Sequence, residues 1–277
     1  MGPPIPEERR LAISAQVRNH PLVKASELAQ SLHVSVETIR RDLLALEQEG
    51  LVRRVYGGAT GTAARAFEAA FEKRRVQHLD RKSAMARFAA SLVRPEDTLI
   101  LDVGTSVAEI ARELPYHYRG KVLTNSLLVA TELAGREGVE VLASGGLVRA
   151  GDLACAGPVS EAFFRDYFAD KAFLGSGGVH PQMGLTDYYL EEIATRRVIL
   201  EHAAELYVMA DSSKLGRIAL GRVCDLAALT AVITDDRADA ADLQQLEAAG
   251  VTVMVATVAH DSPPTGARGK GGRRQHG

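Results

Sequence analysis

The sequence predicts an α/β protein in two parts: an N-terminal winged helix-turn-helix over residues 1–58, then a larger unit over residues 75–258 built on a mostly parallel sheet. Three observations predict it. Three helical periodicities and a short β-branched segment ending in a glycine pair fill the first sixty residues. From about residue 72, short apolar runs alternate with amphipathic helices, the pattern of a parallel sheet covered by helices. The length, 277 residues, suits two domains of ~100–200 residues each.

In the head, a first helix is predicted from Pro6 to Arg18, with Ile13 and Val17 spaced by four; Asn19-His20-Pro21 stops it, because the residue before a proline is pushed out of the α region. A second helix is expected to start at Ser26 as N-cap and to bury Leu28, Ala29 and Leu32. His33-Val34-Ser35 forms the turn and Ser35 the next N-cap. Val36, Ile39, Leu43 and Leu46 then recur at three and four residues, the stripe of an amphipathic helix that ends at Gly50. Residues 51–56, followed by Gly57-Gly58, suit one arm of a hairpin, the wing. Residues 59–74 read as a linker, although Ala63 to Arg75 could equally extend as a helix.

In the second unit the strand candidates are Thr98–Asp102, Lys121–Thr124, Val139–Ala143, Lys171–Gly175, Glu205–Ala210, Leu229–Thr234 and Val251–Val255. The helices expected between them include Ser106–Leu114, Ser126–Leu133, Leu190–His202 and Ala238–Ala248. Residues 259–277, rich in Gly, Pro and basic side chains, are expected to be a disordered basic tail.

Composition sets limits on function. Apolar residues make up 46% and charged residues 25% of the chain, ordinary globular usage. No apolar run nears the ~18 residues of a membrane span. The opening Met1-Gly2-Pro3-Pro4 lacks the layout of a leader, so a cytoplasmic location without membrane contact is expected. Cys155 and Cys224 lie far apart and are expected to be reduced, and the eight histidines show no paired ligand spacing; neither a metal nor a cofactor is predicted. Residues 1–60 carry eight Lys and Arg against seven Asp and Glu, and residues 267–277 four against none, so the stretch between is acidic. A nucleic-acid reading therefore rests on where the arginines fall, not on net charge.

They fall in the right places. If the aliphatic stripe of the third helix faces inward, Glu37 and Arg41 point outward with Thr38 and Arg40 on the flanks. The N-terminal half of such a helix meets base edges in the major groove. Arg41 can bond guanine in bidentate fashion, Thr38 can touch a thymine methyl or a phosphate, and Glu37 can accept from cytosine. Arg40, Arg53 and Arg54 are placed for phosphates, which set register and affinity without reading sequence. A bare cluster of arginines is more often a solvated face. Here the turn length, the serine cap and the wing glycines agree with one another.

The segment 34–43, followed by Leu46-Glu47, Gly50-Leu51 and Arg54-Val55-Tyr56-Gly57-Gly58-Ala59, resembles the DNA-binding signature of the DeoR family of bacterial transcription regulators. The resemblance implies an operator of double-stranded DNA as partner and adds Ser35 and Tyr56 to the expected contacts. The family's aspartate falls on Asp42, which the helical wheel of the aliphatic stripe puts near the core edge, where a structural hydrogen bond or ion pair and no base contact is expected.

Polar turns close the strands of the second unit: Asp102-Val103-Gly104-Thr105-Ser106, Thr124-Asn125-Ser126, Ser144-Gly145-Gly146, Gly175-Ser176-Gly177-Gly178 and Asp211-Ser212-Ser213-Lys214. Strand ends are where open α/β sheets bind ligands. Backbone N–H groups, the hydroxyls of Thr105 and Ser106 and a helix dipole suit a phosphate, and Lys214 adds a positive charge. Residues 75–255 also resemble the DeoR-type sensor domain, similar in fold to ribose-5-phosphate isomerase, which implies a phosphorylated sugar as effector. The expected contacts are Asp102, Gly104, Thr105, Ser106, Thr124, Asn125, Ser126, Gly146, Gly175, Gly177, Glu192, Asp211 and Lys214. Two positions depart from the family pattern: Ser106 replaces a second threonine, and Arg196 stands where a lysine commonly follows the glutamate at Glu192.

The function these readings imply is a sequence-specific regulator, a repressor of sugar metabolism genes released from DNA by the effector and acting as a dimer or tetramer. The alternative is an isomerase-like enzyme fused to a DNA-binding head. An isomerase needs a carboxylate base, and Gly175-Ser176-Gly177-Gly178 stands where the related isomerases have an acidic cluster, leaving only Glu192 and Asp187 to serve. A third class is a scaffold module that binds nothing small.

Overall fold

A computed structural model describes residues 5–19, 23–48, 51–55, 57–61, 68 and 70–258. The expected basic tail lies outside them, as does Tyr56.

The head consists of α1 (Pro6–Asn19), β1 (Val23–Lys24), α2 (Ala25–Ser31), α3 (Val36–Gln48), β2 (Val52–Val55) and β3 (Gly58–Gly61). Its core is Ile13, Val17, Leu28, Ile39, Leu43, Leu46, Val52 and Ala59. Two expectations change in detail. α2 begins at Ala25, before Ser26, and the backbone N–H of Lys24 donates to the Glu27 carboxylate at 3.3 Å. Val36 is 37% exposed, because it occupies the first turn of α3, ahead of the contact with the other helices. Between α2 and α3 the turn is tightened by Val34 N–H donating to the Ala29 carbonyl, with His33 at φ +53°.

The wing is a full hairpin. β2 pairs antiparallel with β3, and β3 pairs with β1. Ala59, expected to open the linker, is buried within β3. Gly58 is required there: a Cβ would lie 2.2 Å from the Val23 carbonyl oxygen, so only glycine lets β1 approach.

Arg9 and Asp42 hold α1 to α3. Arg9 Nε lies 2.5 Å and Nη2 3.3 Å from the two oxygens of Asp42, with both side chains buried.

The second unit runs α4 (Phe71–Val76), α5 (Leu79–Ser91), β4 (Leu99–Leu101), α6 (Thr105–Glu113), β5 (Gly120–Thr124), α7 (Leu127–Leu133), β6 (Val139–Ala143), β7 (Leu147–Val148), β8 (Cys155–Ala156), α8 (Pro158–Arg165), β9 (Ala169–Leu174), β10 (Gly178–His180), β11 (Gly184–Asp187), α9 (Leu190–His202), β12 (Ala203–Met209), β13 (Gly221–Cys224), β14 (Ala231–Asp235), α10 (Ala240–Ala248) and β15 (Thr252–Ala256). Seven strands form one parallel sheet in the order β15-β14-β12-β9-β4-β5-β6. Side chains alternate faces with period two. Leu99, Leu101, Val122, Phe173, Tyr207 and Ile233 pack with α5, α6 and α7. Ile100, Leu123, Ala172, Leu174, Val208 and Val232 pack with α8, α9, α10 and a small antiparallel sheet of β10, β11 and β13.

Because strands later in the chain extend the sheet on the other side of β4, its order reverses between β4 and β9. Crevices for ligands open at such a point, outside the carboxyl ends of the strands. The two turns there touch: a Cβ on Gly175 would lie 2.5 Å from the Val103 carbonyl oxygen.

Replacing Asp42 with alanine removes the carboxylate that two nitrogens of Arg9 bond and should cost about 3 kcal/mol of head stability, the usual penalty for breaking a buried pair. In urea unfolding of the full chain this appears as an earlier head transition with the second-unit transition unmoved. An unshifted head transition would show that the pair does not hold the head together.

Candidate functional site

A cavity of about 480 Å³ opens at the β4/β9 switch point. Its lining divides into two groups of side chains, each tied together by ion pairs.

One group is cationic. The turn after β4 places Gly104, Thr105 and Ser106 on the cavity, and α6 starts at Thr105. The first N–H groups of a helix have no intrahelical acceptor, so they present donors to whatever sits there. Lys214, held in the turn after β12, donates to the Ser176 carbonyl at 3.0 Å and lies 3.5 Å from Glu68. Asp211 fixes this turn by accepting from the Ser213 N–H at 3.0 Å and hydroxyl at 2.5 Å. Lys82 of α5 donates to the Arg74 carbonyl, and Lys73, Arg74 and Arg217 add further positive charge to the lining. Burial pushes the Lys82 ammonium down to about 8, with Lys214 and Arg74 adding to the shift and Asp211 and Glu109 opposing it. Burial lowers Lys214 as well, against the pull of Glu68. Burial would raise Asp211, but Lys214 and its hydrogen bonds hold it below the usual carboxylate range.

The other group centres on Arg196. Its Nε lies 2.6 Å from Asp102, its Nη1 bonds Asp187 and its Nη2 lies 3.1 Å from Glu192. Arg149 closes the group by pairing with both Glu192 and Asp152. Burial, with Asp187 and Asp102 nearby, pushes the Glu192 carboxyl up despite both guanidiniums. Asp187 goes the other way: Arg196 and the Tyr188 N–H overcome its burial.

Of the expected effector contacts, Gly104, Thr105, Ser106, Gly175, Glu192, Asp211 and Lys214 line the cavity. The others lie behind it or beside it. Asp102 is fully buried and accepts from the Gly175 N–H at 3.0 Å, which fixes the turn. Thr124 donates to the Leu101 carbonyl, Ser126 caps α7 by accepting from the Val129 N–H, and Asn125 is buried between them. Gly146 packs against β8, its missing Cβ 2.8 Å from the Ala156 carbonyl, and Gly177 packs against Asp187. The turns of Thr124, Asn125, Ser126 and Gly146 follow β5 and β6, beyond the switch point, and do not reach the cavity, whereas Asp102 and Gly177 stand in the switch-point turns but behind its surface. Sequence reasoning missed Arg74, Lys82 and Arg217. The helical spacing of His78 and Lys82, one turn apart and both on the cavity, was the available signal.

On the head, α3 turns Glu37, Arg40 and Arg41 to solvent while Asp42 is buried. Ser35 Oγ accepts from the Thr38 N–H at 3.1 Å and lies 2.9 Å from the Thr38 hydroxyl, so Ser35 is occupied as a cap. Arg40 pairs loosely with Glu37 at 3.6 Å. The Arg54 N–H donates to Glu47 at 2.8 Å and its side chain remains largely exposed. Arg53 lies in β2, and its side chain is outside the described residues.

Residues 9–63 match the model of the DeoR-like helix-turn-helix domain, and residues 77–236 that of the DeoR C terminal sensor domain. The chain belongs to the DeoR family. It is 34% identical to the HTH-type transcriptional regulator GlpR of Haloferax volcanii, over 90% of this chain and 98% of that one. It is 32% identical to a putative aga operon transcriptional repressor of Escherichia coli O157:H7, over 90% and 93%. It is 31% identical to the lactose phosphotransferase system repressor of Staphylococcus epidermidis, over 85% and 92%. Among solved structures it is similar to the full-length sorbitol operon regulator SorC of Klebsiella pneumoniae (12% identity, 86% of this chain and 98% of that one, TM-score 0.40). It is also similar to ribose 5-phosphate isomerase A of Methanocaldococcus jannaschii (19%, 50% and 55%, TM-score 0.38). This DeoR-family chain is a DNA-binding transcription regulator. Among its described residues no helix is long and apolar enough to cross a membrane, and no group of three or more His, Cys, Asp and Glu is placed to hold a metal.

Within α3, Arg41→Ala should relax sequence preference at one base pair, costing about 1–3 kcal/mol on the preferred site and little elsewhere. Arg54→Ala should weaken all duplexes alike and reduce the salt slope by about 1. Binding titrations on preferred and scrambled duplexes at several salt concentrations distinguish them; matching effects from both variants would refute this division of roles.

Proposed function

We propose that this regulator represses carbohydrate-metabolism genes as a homodimer or dimer of dimers, and that a phosphorylated sugar bound in the switch-point cavity releases it from its operator. The observation that carries the reading is the convergence of the α6 N-terminus with Lys82 and Lys214 on one cavity. Free N–H groups and two ammonium groups suit a phosphate, and the carboxylates of Asp187 and Glu192 on the other group suit sugar hydroxyls. The names of the lactose phosphotransferase and aga operon repressors support a sugar-related effector. Two-fold operators match two-fold proteins, and one recognition helix spans only a few base pairs.

One observation favours the enzymatic alternative: Glu192 is a cavity carboxylate raised by burial, the condition of a general base. Against it, Arg149 and Arg196 take one oxygen of Glu192 each. Thermal shift of the full chain with a panel of sugar phosphates tests both readings. A true effector at a hundred times its Kd should stabilise by about 2.7 kcal/mol, without conversion of the sugar. Turnover would make the protein an enzyme, and silence across the panel would leave a scaffold.

The anion site has a pH signature. Lys82 is charged below about 8 and neutral above it in the empty cavity. Sulfate, whose own charge is constant there, should therefore bind progressively more weakly as pH rises past that value. Lys82→Arg, which stays charged, should flatten the decline, leaving the part owed to Lys214. Calorimetric titrations at several alkaline pH values check this; an affinity independent of pH in the wild type would remove Lys82 from the site.

A further inference from the structure

The cation group of the cavity already holds an anion. Glu68 belongs to the connection between the end of β3 at Gly61 and the start of α4 at Phe71, outside both folded cores. Its carboxylate is nonetheless only 9% exposed and lines the cavity. One oxygen lies 3.0 Å from Arg74 Nη2 and the other 3.5 Å from Lys214 Nζ. A single carboxylate thus bridges a cation on α4 and a cation on the turn after β12, as two oxygens of a phosphate would. Burying a carboxylate costs free energy that only good pairing offsets, and here the pairing is with the cations that the proposed effector needs.

We infer that Glu68 is an internal stand-in for the effector's anionic group: it occupies Arg74 and Lys214 in the empty protein, and an incoming phosphate must expel it. This rests on the reading of the cavity as an anion site. A phosphate carries more charge than a carboxylate and offers a third oxygen to the N–H groups at the start of α6, so it outcompetes Glu68 at sufficient concentration. Until then the apparent affinity is reduced by the fraction of molecules in which Glu68 is out. Sequence places Glu68 between wing and sensor. The same cavity is lined by Glu47, Gln48, Leu51 and Val52 of the head, so the carboxylate sits where the two domains meet.

The test is calorimetric titration of inorganic phosphate into the full chain at constant ionic strength, comparing the wild type with Glu68→Gln, Glu68→Asp and Lys214→Met. With Glu68 in place in nine molecules of ten, Glu68→Gln should bind phosphate roughly tenfold more tightly. Glu68→Asp, which keeps the charge but shortens its reach, should fall between the two and decides the matter if the glutamine variant does not fold. Lys214→Met should lose binding. If Glu68→Gln and Glu68→Asp bind phosphate no more tightly than wild type while Lys214→Met loses it, the stand-in role is overturned and the anion site stands. If Lys214→Met binds phosphate as well as wild type, the anion site falls, and the role of Glu68 with it.

Discussion

The guanidinium of Arg196 is the constraint on which the cavity depends. It is 2% exposed and surrounded by carboxylates from three parts of the chain: Asp102 at the end of β4, Asp187 at the end of β11 and Glu192 one turn before it on α9. Each of its three nitrogens faces a different carboxylate. Remove the guanidinium and three buried acids face one another, a state several kcal/mol less stable. Remove one acid, Asp102, and the Gly175 N–H loses its acceptor, so the two turns of the switch point lose their shared anchor. An ammonium in this position carries the same charge but lacks the planar fork, so it cannot address three acids in fixed directions. The arginine that departs from the family pattern therefore shapes the cavity wall, with its donors committed to the protein.

That commitment sorts the cavity's charges. The acids around Arg196 and Arg149 share two guanidiniums, with one oxygen of Asp102 left without a hydrogen-bond partner, while the cations opposite lean on Asp211, Glu68 and backbone carbonyls. Lys82 is lowered because burial, with Lys214 and Arg74 nearby, outweighs the pull of Asp211 and Glu109, and so it would gain from an anion placed beside it. One wall thus holds more carboxylates than guanidiniums and the other the cations, so an anionic group would sit on the second and hydrogen-bond donors such as hydroxyls on the first. The parallel sheet supplies this geometry for a general reason: strand ends at the reversal leave backbone donors unpaired just where the chain must diverge.

Much of this was legible in sequence. All seven strands of the large sheet were readable from apolar runs, since strands buried on both faces show up as such runs. The stripe of Ile39, Leu43 and Leu46 gave the orientation of α3, and the place of Asp42 followed from it. The order of the sheet was not legible, because period and propensity say nothing about which strand lies beside which. Without it, five polar turns looked like one rim, and Thr124, Asn125, Ser126 and Gly146 were placed at a site to which, of those five turns, the ones after β4, β9 and β12 contribute. β10, β11 and β13 were also hidden; they are three or four residues long, and their pattern is too short to register. Arg74 and Glu68 were overlooked for a different reason. Their surroundings are small and polar, which reads as a linker, and nothing in local composition reveals that a linker carboxylate will be buried between two cations.

The same geometry limits how a ligand can act on DNA. An effector shifts the head only as far as it binds one arrangement better than another. A ligand that touched sensor residues alone, the Arg196 group for instance, would meet the same contacts in every arrangement and shift nothing. Glu47 joins the two tasks more directly. It lines the cavity and also accepts from the Arg54 N–H at 2.8 Å, in the wing strand β2. A negative ligand entering the cavity brings its charge towards that carboxylate as well as towards Lys82 and Lys214. The attraction is to cations of the second unit and is the same wherever the head sits, whereas the repulsion comes from a residue of the head. Only the repulsion differs between arrangements, so for such a ligand it, and not the grip of the cations, would carry any coupling.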